Sequence, residues 1–157
     1  MSNTWKFASL YDKVQENLYI SNAGAAQDLM FLHSERISKI LSCGCEFSDF
    51  HRTSLQAMIL DIPDNTWNEK TEQEFNRGVK QLSQWLEAGE TVLVHCMGGI
   101  SRSATVILLY LMRDKNMTLL QAVETLHGVR KQIGPVTEYW KYLLRIDEHL
   151  RATRNNN

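Results

Sequence analysis

The chain has 157 residues, 43% hydrophobic and 22% charged, which suits one globular domain able to bury a core without a disulfide or metal staple. Seventeen Lys and Arg against 18 Asp and Glu leave a net charge of −1, so no chain-wide basic field awaits nucleic acid or anionic lipid, and strong anion affinity has to be local. Three cysteines (Cys43, Cys45 and Cys96) are too few for a secreted disulfide framework, and no apolar run approaches the ~20 residues of a spanning helix; the expectation is a soluble, intracellular monomer without a membrane anchor or nucleic-acid partner.

In chain order, Leu18-Tyr19-Ile20 reads as a short strand ending in the turn Ser21 to Gly24, and Ala25 to Ser34 as one short helix. Ile37 to Cys43 and Ala57 to Ile62 are strand-like, the second stopping at Pro63-Asp64-Asn65, because proline has no amide for a central strand. Thr71 and Glu74 have the spacing of a capping box. Phe75, Val79, Leu82 and Leu86 then share one helical face, and Gly89 closes the helix. Glu90 to His95 reads as a buried strand, Cys96 to Arg102 as a glycine-containing turn, and Ser103 to Asp114 as an almost uniformly apolar helix. Thr118 and Gln121 can cap another helix running to about Lys131. Gly134-Pro135 breaks the pattern, and Thr137 to Arg151 forms the last helix. Alternating strands and helices predict an α/β domain: a mostly parallel sheet with helices on both faces and ligands at the carboxyl ends of the strands.

Cys96 falls at such an end, in the run His95-Cys96-Met97-Gly98-Gly99-Ile100-Ser101-Arg102-Ser103. A buried strand delivers the cysteine to the bottom of a loop that feeds a helix N-terminus. Successive amides there can converge on an anion, and the helix dipole adds partial positive charge. Glycines 98 and 99 let backbone close around the ligand, so Met97, Gly98, Gly99, Ile100, Ser101 and Arg102 are the candidate phosphate-binding residues. The same field favours thiolate over thiol at Cys96. Arg102 supplies a planar fork for two phosphate oxygens, and Ser103 can donate to the sulfur. These are the parts needed for nucleophilic attack on phosphorus. The leaving oxygen needs a proton, for which Asp64 is preferred to Asp61, since Asp64 lies in a loop and Asp61 inside an apolar run. His95 is expected to orient the loop rather than act as a base. His33, His51, His127 and His149 show no ligand spacing, and neither a metal site nor a cofactor is assigned. Trp67, Trp85 and Trp140 read as packing residues. Arg130 and Lys131 are open between meeting a second substrate anion and forming a solvated helix end.

The run His95 to Ser103 resembles the HCxxGxSRS signature of the dual-specificity branch of the cysteine-based protein tyrosine phosphatases. The likeness continues through Asn17 to Ala23, Ile37 to Ser42, Ile62 to Asn65 and Ile133 to Pro135. It implies a small, atypical dual-specificity phosphatase: one catalytic domain over residues 1–157 with a core at about 10–152, and a five-stranded, mostly parallel sheet between helices. It also implies metal-free chemistry on phosphorylated proteins in the cytoplasm, with the nucleus also open to it. By the same likeness Cys96 is the nucleophile, Arg102 the phosphate fork, Asp64 the acid and Ser103 the thiolate partner. Val136 stands where the family often has Asn, and Gly98 where it often has a larger residue. The family's sheet order puts the strand carrying Cys43 beside the one ending at Cys96, so oxidised Cys96 is expected to be able to cross-link to Cys43 or Cys45.

Overall fold

A computed structural model describes residues 10–47 and 55–156. His51 lies outside the described residues. Five strands, β1 (Tyr11–Gln15), β2 (Leu18–Ser21), β3 (Lys39–Cys43), β4 (Gln56–Leu60) and β5 (Val92–His95), form one sheet in the order β1-β2-β5-β3-β4. All neighbours run parallel except β1, which pairs antiparallel with β2, so the sheet is mixed rather than wholly parallel. The sequence pattern does not reveal β1. Its residues Tyr-Asp-Lys-Val-Gln bury only Val14, as an edge strand with one covered face does. The interior strands β2 and β5 are buried at every position, which is why they read as short continuous apolar runs.

Helices cover both faces. On one lie α3 (Thr71–Glu87), α4 (Arg102–Asp114), α5 (Leu119–Val129) and α6 (Thr137–Asn155). Leu18, Ile20, Leu41, Val92 and Val94 point into this larger core. The two-residue side-chain period of a strand sends Tyr19, Ile40 and Leu93 to the opposite face, against Ala25, Ala26, Phe31 and Leu32 of α1 (Ala23–Ala26) and α2 (Leu29–Ser34). Helix α4 is buried along its length to Met112, so its all-round apolar sequence matches its position between the sheet and three other helices.

Three local expectations change. The segment from Ala25 to Ser34 is two helices, because Asp28 breaks it and caps the second by accepting from the amides of Met30 and Phe31. The capping box at Thr71 does not form. Thr71 is already helical and its hydroxyl accepts from the Asn68 amide, while the Glu74 carboxylate accepts the Asp61 amide at 2.7 Å and pairs with Arg77. The box at Thr118 and Gln121 is present with both of its hydrogen bonds. Helix α6 continues past Arg151 to Asn155.

Candidate active site

The sheet delivers Cys96 immediately after β5, and α4 begins at Arg102, so the intervening loop is clamped at both ends. What shapes it is the fate of its carbonyls. Met97 O accepts from the Ala23 amide (2.9 Å), and Ile100 O from the Gly134 amide (2.8 Å). Gly99 O accepts from Arg130 Nε (2.7 Å) and Gly98 O from Arg130 Nη2 (3.3 Å). Ser101 O accepts from the amide and hydroxyl of Thr105. With its carbonyls tied to the surrounding scaffold, the loop's amides are left to converge near the sulfur, and those of Ile100 and Ser103 donate to Cys96. Gly99 has φ +66°, and a Cβ there would lie 2.5 Å from Ser21 O and 2.7 Å from Arg130 Nη2, so only glycine fits the turn.

The Cys96 sulfur is buried (2% exposed) and 3.1 Å from the Ser103 hydroxyl. Burial alone would push its pKa up. The Ser103 hydroxyl, the two amides and the Arg102 charge outweigh burial and bring it below the usual thiol value. Arg102, 1% exposed, is held through Nη1 by the Glu46 carboxylate and by Ile62 O at 2.9 Å. Burial disfavours its charge, but Glu46, Cys96 and Asp64 more than offset this and raise its pKa. Its Nε and Nη2 are buried without a hydrogen-bond partner. Buried donors left unpaired are costly, and an oxyanion beside Cys96 would satisfy both. Asp64 is half-exposed with Oδ1 at 3.5 Å from Arg102 Nε. Asp64, Cys96, Ser101, Arg102 and the rim residues Met97 and Ile100 border one open hollow of about 270 Å³.

The structure thus brings Asp64, Cys96 and the loop from Met97 to Ser103 together, and it separates Asp61 from them. Asp61 lies exposed beyond β4 and borders a different hollow, with Asn68 and Lys70. His95 is fully buried, its Nε2 2.7 Å from Ser42 Oγ and its ring edge-on to Phe47, in keeping with an orienting role. Trp85 belongs to the core, and Trp67 and Trp140 pack against it. Arg130 fits neither sequence reading. It is 1% exposed, braces the two glycine carbonyls and pairs with Asp12 of β1 at 2.8 Å.

Glu46, in a single 3-10 turn at Cys45–Phe47 after β3, is the residue that the sequence reading missed. Its partner, Arg102, is far away along the chain, and no local periodicity marks it. The nearest sequence signal is Gly44, where a Cβ would overlap both the Glu46 carboxylate and Arg102 Nη1. Cys43 is fully buried one step beyond the paired Ser42 and His95, which places it beside Cys96 in the register and in the same core cluster; Cys45 is exposed.

A mixed α/β sheet that presents a cysteine of lowered pKa, an amide-lined loop and a half-satisfied buried arginine is the frame of a phosphate-handling hydrolase. The chain belongs to the dual specificity phosphatase family: the model of its catalytic domain matches residues 18–149. Among its relatives, human dual specificity protein phosphatase 18 is 30% identical over 139 residues, covering 88% of this chain and 73% of the relative. The Arabidopsis thaliana dual specificity protein phosphatase PHS1 is 33% identical over 139 residues, 86% of this chain but only 15% of that longer protein. The crystal structure of human DUSP28 superposes with a TM-score of 0.81 at 20% identity, covering 91% of this chain and 96% of that one, which shows the shared fold. No helix among the described residues is long and apolar enough to cross a membrane.

Proposed function

We propose that this phosphatase domain hydrolyses phosphotyrosine and phosphoserine or phosphothreonine on proteins through a phosphocysteine at Cys96. The Cys96 thiolate attacks phosphorus while Arg102 and the loop amides hold the equatorial oxygens. The bond from phosphorus to the ester oxygen breaks, and that oxygen takes a proton from the Asp64 carboxyl. The Asp64 carboxylate then removes a proton from water as the water oxygen attacks the phosphocysteine, releasing phosphate and a thiolate to which Ser103 donates. The observation that carries this reading is the pair of buried Arg102 nitrogens that make no hydrogen bond, beside a sulfur with a depressed pKa.

The hollow supports a protein phosphoester over a polyphosphorylated head group, since its described lining carries Arg102 but no Lys or His, and its rim offers Met97 and Ile100. The test is turnover of phosphopeptides and of a small aryl phosphate, with Cys96→Ser trapping of phosphorylated proteins competed by vanadate. Cys96→Ser is expected to abolish turnover and retain phosphopeptide binding, and Arg102→Lys to impair both. Tight phosphopeptide binding without any turnover by the unmodified protein would instead establish a phospho-residue reader.

A further inference from the structure

Asp64 sits on an exposed loop, yet a general acid has to be held within hydrogen-bond reach of the leaving oxygen. The loop is closed on itself by Thr66 Oγ1 donating to Pro63 O at 2.8 Å, around Asn65 in the left-handed region at φ +56°. Besides the approach of Asp64 Oδ1 to Arg102 Nε at 3.5 Å, a hydrogen bond ties this closed turn to the body of the protein from below: the Tyr139 hydroxyl donates to Thr66 O at 3.1 Å. Tyr139 is fully buried, with its ring edge-on to Phe75 at 5.1 Å, so the hydroxyl is delivered from a fixed ring. Burial also pushes its pKa up to about 12, so it stays a donor wherever the enzyme works.

Tyr139 lies in the first turn of α6, and the residues entering that turn grip the other half of the site. Gly134 N donates to Ile100 O at 2.8 Å, Val136 N donates to Ser101 Oγ at 3.1 Å, and Tyr139 N donates to Val136 O at 2.9 Å. The start of α6 therefore holds the phosphate loop through two amides and the acid loop through one hydroxyl. We infer that Tyr139 is a positioning residue that fixes Asp64 at its working distance from the Cys96 loop, coupling the two loops through α6. The inference rests on the assignment of Asp64 as the acid.

Tyr139→Phe keeps the buried ring and deletes the hydroxyl. The test compares kcat/KM for phenyl phosphate, whose leaving group needs a proton, with that for p-nitrophenyl phosphate, whose leaving group departs with little help; kcat/KM ends at the phosphocysteine, so the later work of Asp64 on water does not enter it. Tyr139→Phe is expected to lower kcat/KM on phenyl phosphate about fivefold, the effect of one neutral hydrogen bond, with kcat/KM on p-nitrophenyl phosphate unchanged. Tyr142→Phe is the control: Tyr142 is equally buried on α6, but its hydroxyl donates to Asn76 at 3.0 Å, away from the acid loop, so it should not alter the ratio of the two rates. Equal slowing of both esters by Tyr139→Phe, no slowing of either, or the same change of ratio in Tyr142→Phe would overturn the positioning role. Asp64→Asn is assayed alongside. If it spares phenyl phosphate, the acid assignment itself fails, an outcome distinct from a normal Asp64→Asn effect with an inert Tyr139→Phe.

Discussion

Replacing Ser103 with alanine removes a hydroxyl 3.1 Å from the Cys96 sulfur, both groups being buried. A hydrogen bond to a charged partner contributes about 1.5–3 kcal/mol. The Ser103 and Ile100 amides remain, so the thiolate is weakened rather than lost. At a pH below both midpoints, that energy reduces the thiolate fraction by about 10- to 150-fold. The more basic thiolate is also the better nucleophile, and with a Brønsted slope of about 0.4–0.5 it recovers roughly half of the loss on a logarithmic scale. On the acid limb of the profile, alkylation by iodoacetamide is therefore expected to slow by about three- to fifteenfold. Above both midpoints the order reverses, because each protein is then fully ionised and the Ser103→Ala sulfur is the more nucleophilic. The sign follows from the structure: the hydroxyl stabilises the ionised form, so its removal raises the pKa and shifts the profile to higher pH. The measurement is the alkylation rate from pH 5 to pH 10, with the modified peptide identified by mass. Superimposed profiles, or a uniform drop at every pH, would refute the argument, since a uniform drop reports access rather than ionisation.

Gly99→Ala meets left-handed strain of about 1–2 kcal/mol and a clash with Ser21 O as well, whereas Gly89→Ala (φ +81°) has open space around it and meets the strain alone. Urea unfolding should therefore rank Gly99→Ala the less stable by at least about 1 kcal/mol, and vanadate should protect it poorly. Thr118→Ala removes the cap of α5 and should cost about 0.5–2 kcal/mol by urea unfolding, with kcat/KM unchanged because the cap lies outside the site. Hydrogen peroxide should convert Cys96 to the sulfenic acid; the buried Cys43 sulfur then attacks the sulfenic sulfur, whose hydroxyl leaves with the Cys43 proton as water, and a disulfide forms. Activity should return on reduction, and Cys43→Ser should instead lose activity irreversibly. A peptide map showing Cys45 joined to Cys96 would contradict the register on which this rests.

Much of the site was legible because its parts are contiguous: β5, the loop and the start of α4 place His95, Cys96, Gly99, Arg102 and Ser103 within one run. The buried strands were legible too, since strands covered on both faces have to be apolar throughout. Edge strand β1 was not, because a strand with one covered face and one partner carries little apolar signal. The Thr71 and Glu74 pair shows the limit of local patterns: the spacing was right, but Glu74 found the Asp61 amide across the fold.

By itself, the sequence determined which residue types the loop brings together and in what order, because strand, turn and helix starts are short-range properties of the chain. Only the tertiary structure decided what holds that loop open. Glu46 reaches Arg102, Arg130 reaches the carbonyls of Gly98 and Gly99, and Tyr139 reaches the turn carrying Asp64, each across a long stretch of chain. Such contacts leave no periodic trace in sequence. They arise because buried charges and loop carbonyls have to find partners, and the packing of helices on the sheet determines which partners lie within reach.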